Sequence, residues 1–174
     1  MSETAPQPQG AQTQAPPLMV NLQYVKDLSF EVPGAPQVYT TLRSTPRVDI
    51  NLDVQVRRIN EGQNAFEVTL AIRAEARELP PGGTAGSEPG VRVFLADLAY
   101  AGIFTLSNVP EASVEPLLLV ECPRILFPFA RNILAEVTRD GGFPPVMLQP
   151  IDFVALWHSR RAQAAAAASV PATA

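Results

Sequence analysis

The chain has 174 residues, of which 47% are hydrophobic and 17% are charged. This composition is typical of a globular protein and excludes a largely disordered one. The formal net charge of −4 and the single lysine argue against a nucleic-acid-binding surface, because such a surface needs clustered cations.

The two ends of the sequence differ from its middle. Residues 1–17 hold four of the 18 prolines and no apolar run, which predicts a disordered tail and not a signal peptide. Residues 158–174 are alanine-rich, and we expect a fraying helix extension followed by a flexible tail. Residues 18–157 are enough for one compact domain. Because no apolar run is long enough to span a bilayer, we expect a cytoplasmic protein without direct membrane insertion.

Apolar and polar residues alternate from about Leu22 to Val32. A period of two places successive side chains on opposite faces of a sheet, so this segment predicts a strand with a partly acidic outer face. The residues predicted for one face are Tyr24, Leu28, Phe30 and Val32, and those predicted for the opposite face are Asp27, Ser29 and Glu31. Residues 37–47 predict a connection.

The alternation is clearest over residues 49–57 and 66–75. A short polar turn, Glu61-Gly62-Gln63-Asn64, separates these two runs, which together predict an antiparallel hairpin. A fourth alternating run begins at Val91, after a proline- and glycine-rich loop.

This fourth run is apolar on both faces. One face carries Val91, Val93 and Leu95, and the other carries Phe94, Ala96, Leu98 and Tyr100. Because helices cover only one face of a small sheet, the second apolar face predicts burial against another copy of the chain.

The apolar period lengthens after Pro110, which indicates helices. Residues 113–122 predict a short helix, and Ile125, Phe129, Ile133 and Val137 form one stripe of a longer helix. Because Pro128 would break that helix, we expect it to begin near Phe127, after a corner at residues 123–126.

A last helix is predicted after Pro150, with Phe153, Leu156 and Trp157 as its anchors. Four strands followed by two to three helices predict an α+β fold. In this fold a four-stranded antiparallel sheet carries the helices on one face.

No catalytic or metal site is predicted. His158 has no recognisable serine or cysteine partner, so a solvated helix residue is favoured over a general base. Cys122 lies in a predicted apolar helix, so we expect it to be a small core residue. One cysteine and one histidine cannot form a metal site, and the Asp49, Asn51, Asp53 series lacks the glycine of a calcium loop. The residues favour a binding protein without a cofactor over an enzyme.

Three stretches stand out: residues 25–36 (VKDLSFEVPGAP), 101–104 (AGIF) and 121–131 (ECPRILFPFAR). Together with residues 139–157, they resemble the SecB protein-export chaperones. The resemblance implies an ATP-independent holdase that keeps precursor proteins unfolded and delivers them to SecA, the translocation ATPase. It also implies a homotetramer, built as a dimer of dimers.

The resemblance further assigns residues to three surfaces. It implies a SecA contact at Asp27, Glu31, Leu95 and Asp97. It implies a tetramer contact along the fourth strand at Phe94, Ala96, Leu98 and Tyr100. The candidates for a groove that binds unfolded clients are, by position, Tyr39, Leu42, Phe129 and Trp157, and each is equally typical of ordinary core.

Three alternatives stay open from the sequence. The first is a SecB-like holdase that is not dedicated to export, for example one associated with a toxin–antitoxin pair. The second is a small-ligand or enzymatic α+β domain, and the third is a purely structural oligomer.

Overall fold

The computed structural model describes residues 16–60, 62, 64–78 and 90–168. One antiparallel sheet contains β1 (Leu18–Glu31), β2 (Arg47–Asn60), β3 (Ala65–Glu78) and β4 (Val91–Leu106). The strand order is β1-β4-β3-β2, so β1 and β2 are the two edges. The predicted tails span residues 1–17 and 158–174, and their outer parts, residues 1–15 and 169–174, lie outside the described residues, as does most of the predicted loop before β4.

The register gives the sheet an inner and an outer face. Ile72 lies opposite Leu98, and both share the main core with Leu126 of the long helix. We call this helix-covered side the inner face. One residue further along β3, Arg73 lies opposite Asp97, and this pair lies on the outer face.

A β-bulge at Lys26 reverses the alternation of β1. Tyr24 lies opposite Ala101, whereas Asp27 lies opposite Ala99, so three steps of β1 match two steps of β4. Tyr24 therefore lies on the outer face, together with Asp27. The prediction that Tyr24 lies on the same face as Leu28 and Phe30 is therefore wrong, because strict alternation contains no signal for an inserted residue.

The helical elements follow the predicted order. They are α1 (Val38–Thr41) between β1 and β2, and then α2 (Glu111–Pro116), a π-helical segment (Leu117–Glu121), α3 (Cys122–Asp140) and α4 (Phe153–Ala168). The predicted α+β fold, with a four-stranded antiparallel sheet and helices on one face, is confirmed. The alanine-rich segment continues α4 beyond the predicted domain end at residue 157.

The predicted helix break before Pro128 is wrong, because α3 passes through this proline. Leu126, Phe127 and Ala130 lie on both sides of it and are buried in the main core. Their burial outweighs the cost of a proline inside a helix, which is about 3 kcal/mol. Phe129 lies on the flank of α3 and is half exposed.

A second, smaller core forms where α3 ends. It contains Val38, Ala76, Val93, Phe94 and Phe143. Gly141 and Gly142 end the helix beside this core, and Gly142 has a φ of 85°, which favours glycine. This cluster packs the end of α3 against the segment that joins β1 to β2.

Candidate functional site

The residues assigned to the SecA contact lie together on the outer face. Glu31 lies opposite Leu95, and Ser29 lies opposite Asp97. Asp27 lies two residues before Ser29 on β1. We call Asp27, Glu31, Leu95 and Asp97 the acidic patch. Asp27 and Glu31 are exposed, whereas Leu95 keeps only 6% of its surface exposed.

The three carboxylates of the acidic patch differ in their partners. Within the described ranges, Asp27 and Glu31 make no ion pair. Asp97 accepts hydrogen bonds from Nη1 of Arg73 at 3.0 and 3.3 Å. Two carboxylates are therefore open to a partner and one is already occupied.

Sequence reasoning missed the ion pair between Arg73 and Asp97. The alternation of the third strand placed Arg73 on the polar face, but the pattern does not show which residue of β4 lies opposite it. Only the register between the two strands joins Arg73 to Asp97.

Glu75 is a second carboxylate with cationic partners near the acidic patch. It lies opposite Leu95 and bonds to Arg92 at 2.7 Å, with Arg77 also paired to it. The hydrogen bond from Arg92 lowers the pKa of Glu75 below its ordinary value, although partial burial acts in the opposite direction. The open charges of this region are therefore those of Asp27 and Glu31.

A buried carboxylate, Glu67, organises the outer face near the middle of β1. Only 4% of its surface is exposed, and it accepts hydrogen bonds from Tyr24, from Lys26 at 2.9 Å and from Arg57 at 3.2 Å. The bond from Tyr24, followed by that from Lys26, lowers the pKa of Glu67 to about 2, although burial acts to raise it. The same bond raises the pKa of Tyr24. The alternation of the third strand placed Glu67 among its polar residues, and sequence reasoning missed this cluster.

The residues assigned to the tetramer contact lie on the inner face and are buried by this chain itself. Ala96, Leu98 and Tyr100 belong to the main core, and the ring of Phe94 lies 5.0 Å from that of Phe143. The expectation that this face needs another copy to cover it is therefore wrong, because the chain's own helices and Phe143 cover it. The tetramer contact itself stays a prediction.

Two of the client-groove candidates lie beside the smaller core. The ring of Tyr39 stacks on Phe143 with centroids 5.4 Å apart, and the Tyr39 hydroxyl donates to the carbonyl of Gly141 at 2.8 Å. Leu42 packs against the same core. Half of Tyr39 remains exposed despite these contacts, so its position is fixed while one side faces solvent.

The other two candidates lie elsewhere. The ring of Phe129 stacks on that of Tyr100, with centroids 6.2 Å apart. Phe129 lies about 18 Å along α3 from Gly141, the residue that Tyr39 contacts. Trp157 donates to Glu115 at 2.9 Å and lines a cavity of about 260 Å³ between α4, β2 and the helices after β4. Phe129 therefore lies apart from Tyr39, and Trp157 lies in a different part of the molecule.

An apolar strip connects Tyr39 with Phe129 along the inner face of β1. In the register, Val25 lies opposite Tyr100 and Leu28 lies opposite Leu98. We define the apolar strip as Val25, Leu28, Phe30, Tyr39 and Phe129. Its members, except the half-buried Phe30, are exposed, so this margin between β1 and α3 offers apolar surface to solvent.

Cys122 and His158 are the two described side chains that the sequence analysis weighed for catalysis. Burial raises the pKa of the Cys122 thiol to about 12, so the thiol stays protonated. The exposed ring of His158 lies 4.7 Å from that of Trp157. Among the described side chains, no three His, Cys, Asp or Glu residues are grouped to hold a metal ion. No helix in the described ranges is both long and apolar enough to cross a membrane.

Comparison with known proteins identifies the family. The family model for the preprotein translocase subunit SecB matches residues 11–164. The chain belongs to the SecB family. The protein-export protein SecB of Granulibacter bethesdensis is 66% identical over 148 residues, covering 85% of this chain and 84% of the relative. That of Acidiphilium cryptum is 62% identical over 156 residues, covering 88% and 94%.

These relatives confirm the resemblance to SecB and the prediction of a protein-export chaperone. A solved structure also shares the fold: the SecB-like chaperone Rv1957 of Mycobacterium tuberculosis, in complex with a ChAD peptide from the HigA1 antitoxin. Its TM-score is 0.58 at 15% identity, covering 78% of this chain and 91% of that chain. At this identity the likeness shows the fold alone, so the toxin–antitoxin alternative is not favoured over export.

Proposed function

We propose that this SecB-family chain holds unfolded precursor proteins in the cytoplasm as a homotetramer, a dimer of dimers, and passes them to SecA. No ATPase activity, catalysis, cofactor or nucleic acid takes part. The observation that carries the proposal is the apolar strip, which the chain's own helices leave exposed.

The chemistry of the apolar strip suits a holdase. Unfolded clients share no sequence, so their binding cannot depend on matched hydrogen bonds. Burial of apolar surface supplies affinity of about 25 cal/mol per Å², less the cost of ordering the client. A folded protein has already buried its apolar segments, so the strip selects unfolded chains.

The edge strand β1 supports self-association. It has no second neighbour in the described chain, and its N-terminal half carries exposed Met19, Val20 and Leu22. An edge with unpaired backbone groups and apolar side chains is a favourable surface for pairing with a second copy. Several client sites in one tetramer would then add avidity.

The acidic patch supports transfer to SecA. Asp27 and Glu31 face solvent without an ion pair in the described chain, so they are available to steer and bind cations of a partner. Transfer of a client then requires no nucleotide on this protein.

Substitution of the strip tests client binding. We expect Tyr39→Ser combined with Phe129→Ser to shorten the delay that the chaperone imposes on the refolding of a denatured precursor. Met147→Ser, which also removes an exposed apolar side chain, should leave the delay intact. An undiminished delay with the double variant, at unchanged melting temperature, would contradict a client site on this strip.

Charge reversal in the patch tests transfer. We expect Asp27→Lys combined with Glu31→Lys to lower the affinity for SecA in calorimetry by at least about tenfold while client binding is kept. A matched reversal on the edge strand β2, Asp49→Lys, should have little effect. Equal SecA affinity of the double variant and the native chain would remove the patch from this role.

A further inference from the structure

We propose that Arg73 competes internally for Asp97 and thereby limits how tightly the acidic patch binds SecA. This role of Arg73 depends on the proposed SecA contact and adds a regulator to it. Arg73 lies on β3, outside the group of residues that the family resemblance assigns to the contact.

The geometry of the pair favours direct competition. Arg73 lies opposite Asp97 on the outer face, and its Nη1 reaches both carboxylate oxygens. A cation of SecA that is to bond Asp97 directly must therefore displace this guanidinium or share the carboxylate with it. Displacement does not disturb the core, because the Arg73 and Asp97 side chains keep 49% and 36% of their surface in solvent.

Asp97 differs from the other two carboxylates of the acidic patch in its ion pairing. Asp27 and Glu31 have no ion pair among the described residues, so a partner reaches them without breaking a bond. Among the described residues, Asp97 is the one carboxylate of the patch that is paired with a cationic side chain of the chain itself. An exposed pair of this kind opens at small cost, so Arg73 is expected to weaken the SecA contact and not to abolish it.

A weakened contact suits a protein that must deliver its client and leave. Affinity differences within one interface appear mainly in the dissociation rate. By holding Asp97 when SecA departs, Arg73 would shorten the lifetime of the complex.

The first test measures SecA binding to Arg73→Ala by calorimetry at low ionic strength, with the full chain and purified SecA. We expect binding about two- to fivefold tighter than native, the range that an exposed ion pair can supply. Arg47→Ala is the matched control, because Arg47 also forms an outer-face ion pair, with Asp49 at the far edge strand, and its loss should leave the affinity unchanged. Unchanged or weaker binding of Arg73→Ala, at native melting temperature, would overturn the role.

A double-mutant cycle separates competition from a general charge effect. If Arg73 occupies Asp97, Asp97→Asn should cost more affinity in the Arg73→Ala background than in the native background. The same cost in both backgrounds would mean that Arg73 acts only through its overall charge and would refute competition. Failure of the native chain to bind SecA is a separate result, because it would reject the proposed function itself.

Discussion

Glu67 shows how one carboxylate can join three strands. Its donors Tyr24 and Lys26 lie on β1 and Arg57 lies on β2, whereas Glu67 itself lies on β3. The bulge at Lys26 is what turns Tyr24 to the same face. A carboxylate with this little exposure needs such donors, because an unpaired buried charge is costly.

The effect of this cluster on stability can be measured with Glu67→Gln. Glutamine keeps the shape of the side chain but removes the charge that Lys26 and Arg57 pair with. We expect the free energy of unfolding at neutral pH to fall by about 2 kcal/mol in urea titration. Glu136→Gln on the exposed side of α3 is the matched control, since Glu136 accepts one bond from Asn132 and makes no ion pair in the described chain.

The same variant predicts a change in pH dependence. The pKa of Glu67 is lowered from 4.5 to about 2 in the folded chain, so its stabilising contribution is complete above pH 4.5 and is lost as the pH falls towards 2. Glu67→Gln lacks this contribution at every pH. Its unfolding free energy should therefore fall less steeply than that of the native chain over this window, and parallel profiles would contradict the assignment.

At the level of elements, the sequence predicted what depends on local pattern. The hairpin of β2 and β3 follows from two clean alternations, and α3 from its apolar spacing. The bulge at Lys26 and the passage of α3 through Pro128 depend on contacts with distant residues, so the pattern misled there. The alternation of β1 indicated an acidic face and the resemblance assigned it to SecA, but the pairing of Asp97 with Arg73 required the register between β3 and β4.

The side chain of Arg160 attaches helix α4 to the edge of the sheet. Arg160 donates to the carbonyl of Leu52 at 3.0 Å and to that of Val54 at 3.3 Å, and it pairs with Asp53 at 2.6 Å. Both carbonyls belong to the edge strand β2, which has β3 as its single neighbour in the described sheet. Arg160 therefore supplies donors to two carbonyls of β2 and fixes α4 upon this strand.

Removal of this attachment should loosen α4 without unfolding the sheet. We expect Arg160→Ala to raise the hydrogen-exchange rates of the α4 amides by about tenfold, which corresponds to about 1.4 kcal/mol of local stability. Arg161→Ala removes the same charge, but Arg161 lies over the ring of Trp157 and forms no ion pair among the described residues, so its effect should be clearly smaller. Equal exchange in both variants would show that Arg160 does not hold the helix.

For the whole molecule, the structure changes which residues should test assembly. Leu98 and Tyr100 were assigned to the tetramer contact, yet both are buried within one chain. A charge at either position would remove core packing, so a loss of tetramer there would not distinguish dissociation from unfolding. Exposed residues of the edge strand β1 provide the sharper experiment.

Leu22→Lys is the variant that tests assembly through β1. Leu22 is 53% exposed on the outer side of this edge strand, so lysine is tolerated in a single chain. The charge should oppose pairing of β1 with a second copy, because edge-strand lysines disfavour such contacts. We expect light scattering to give a mass below that of the native assembly at unchanged secondary structure. Ile59→Lys places the same charge at an exposed position of the other edge, β2, and should leave the mass unchanged; a native mass for Leu22→Lys would exclude this part of β1 from the interface.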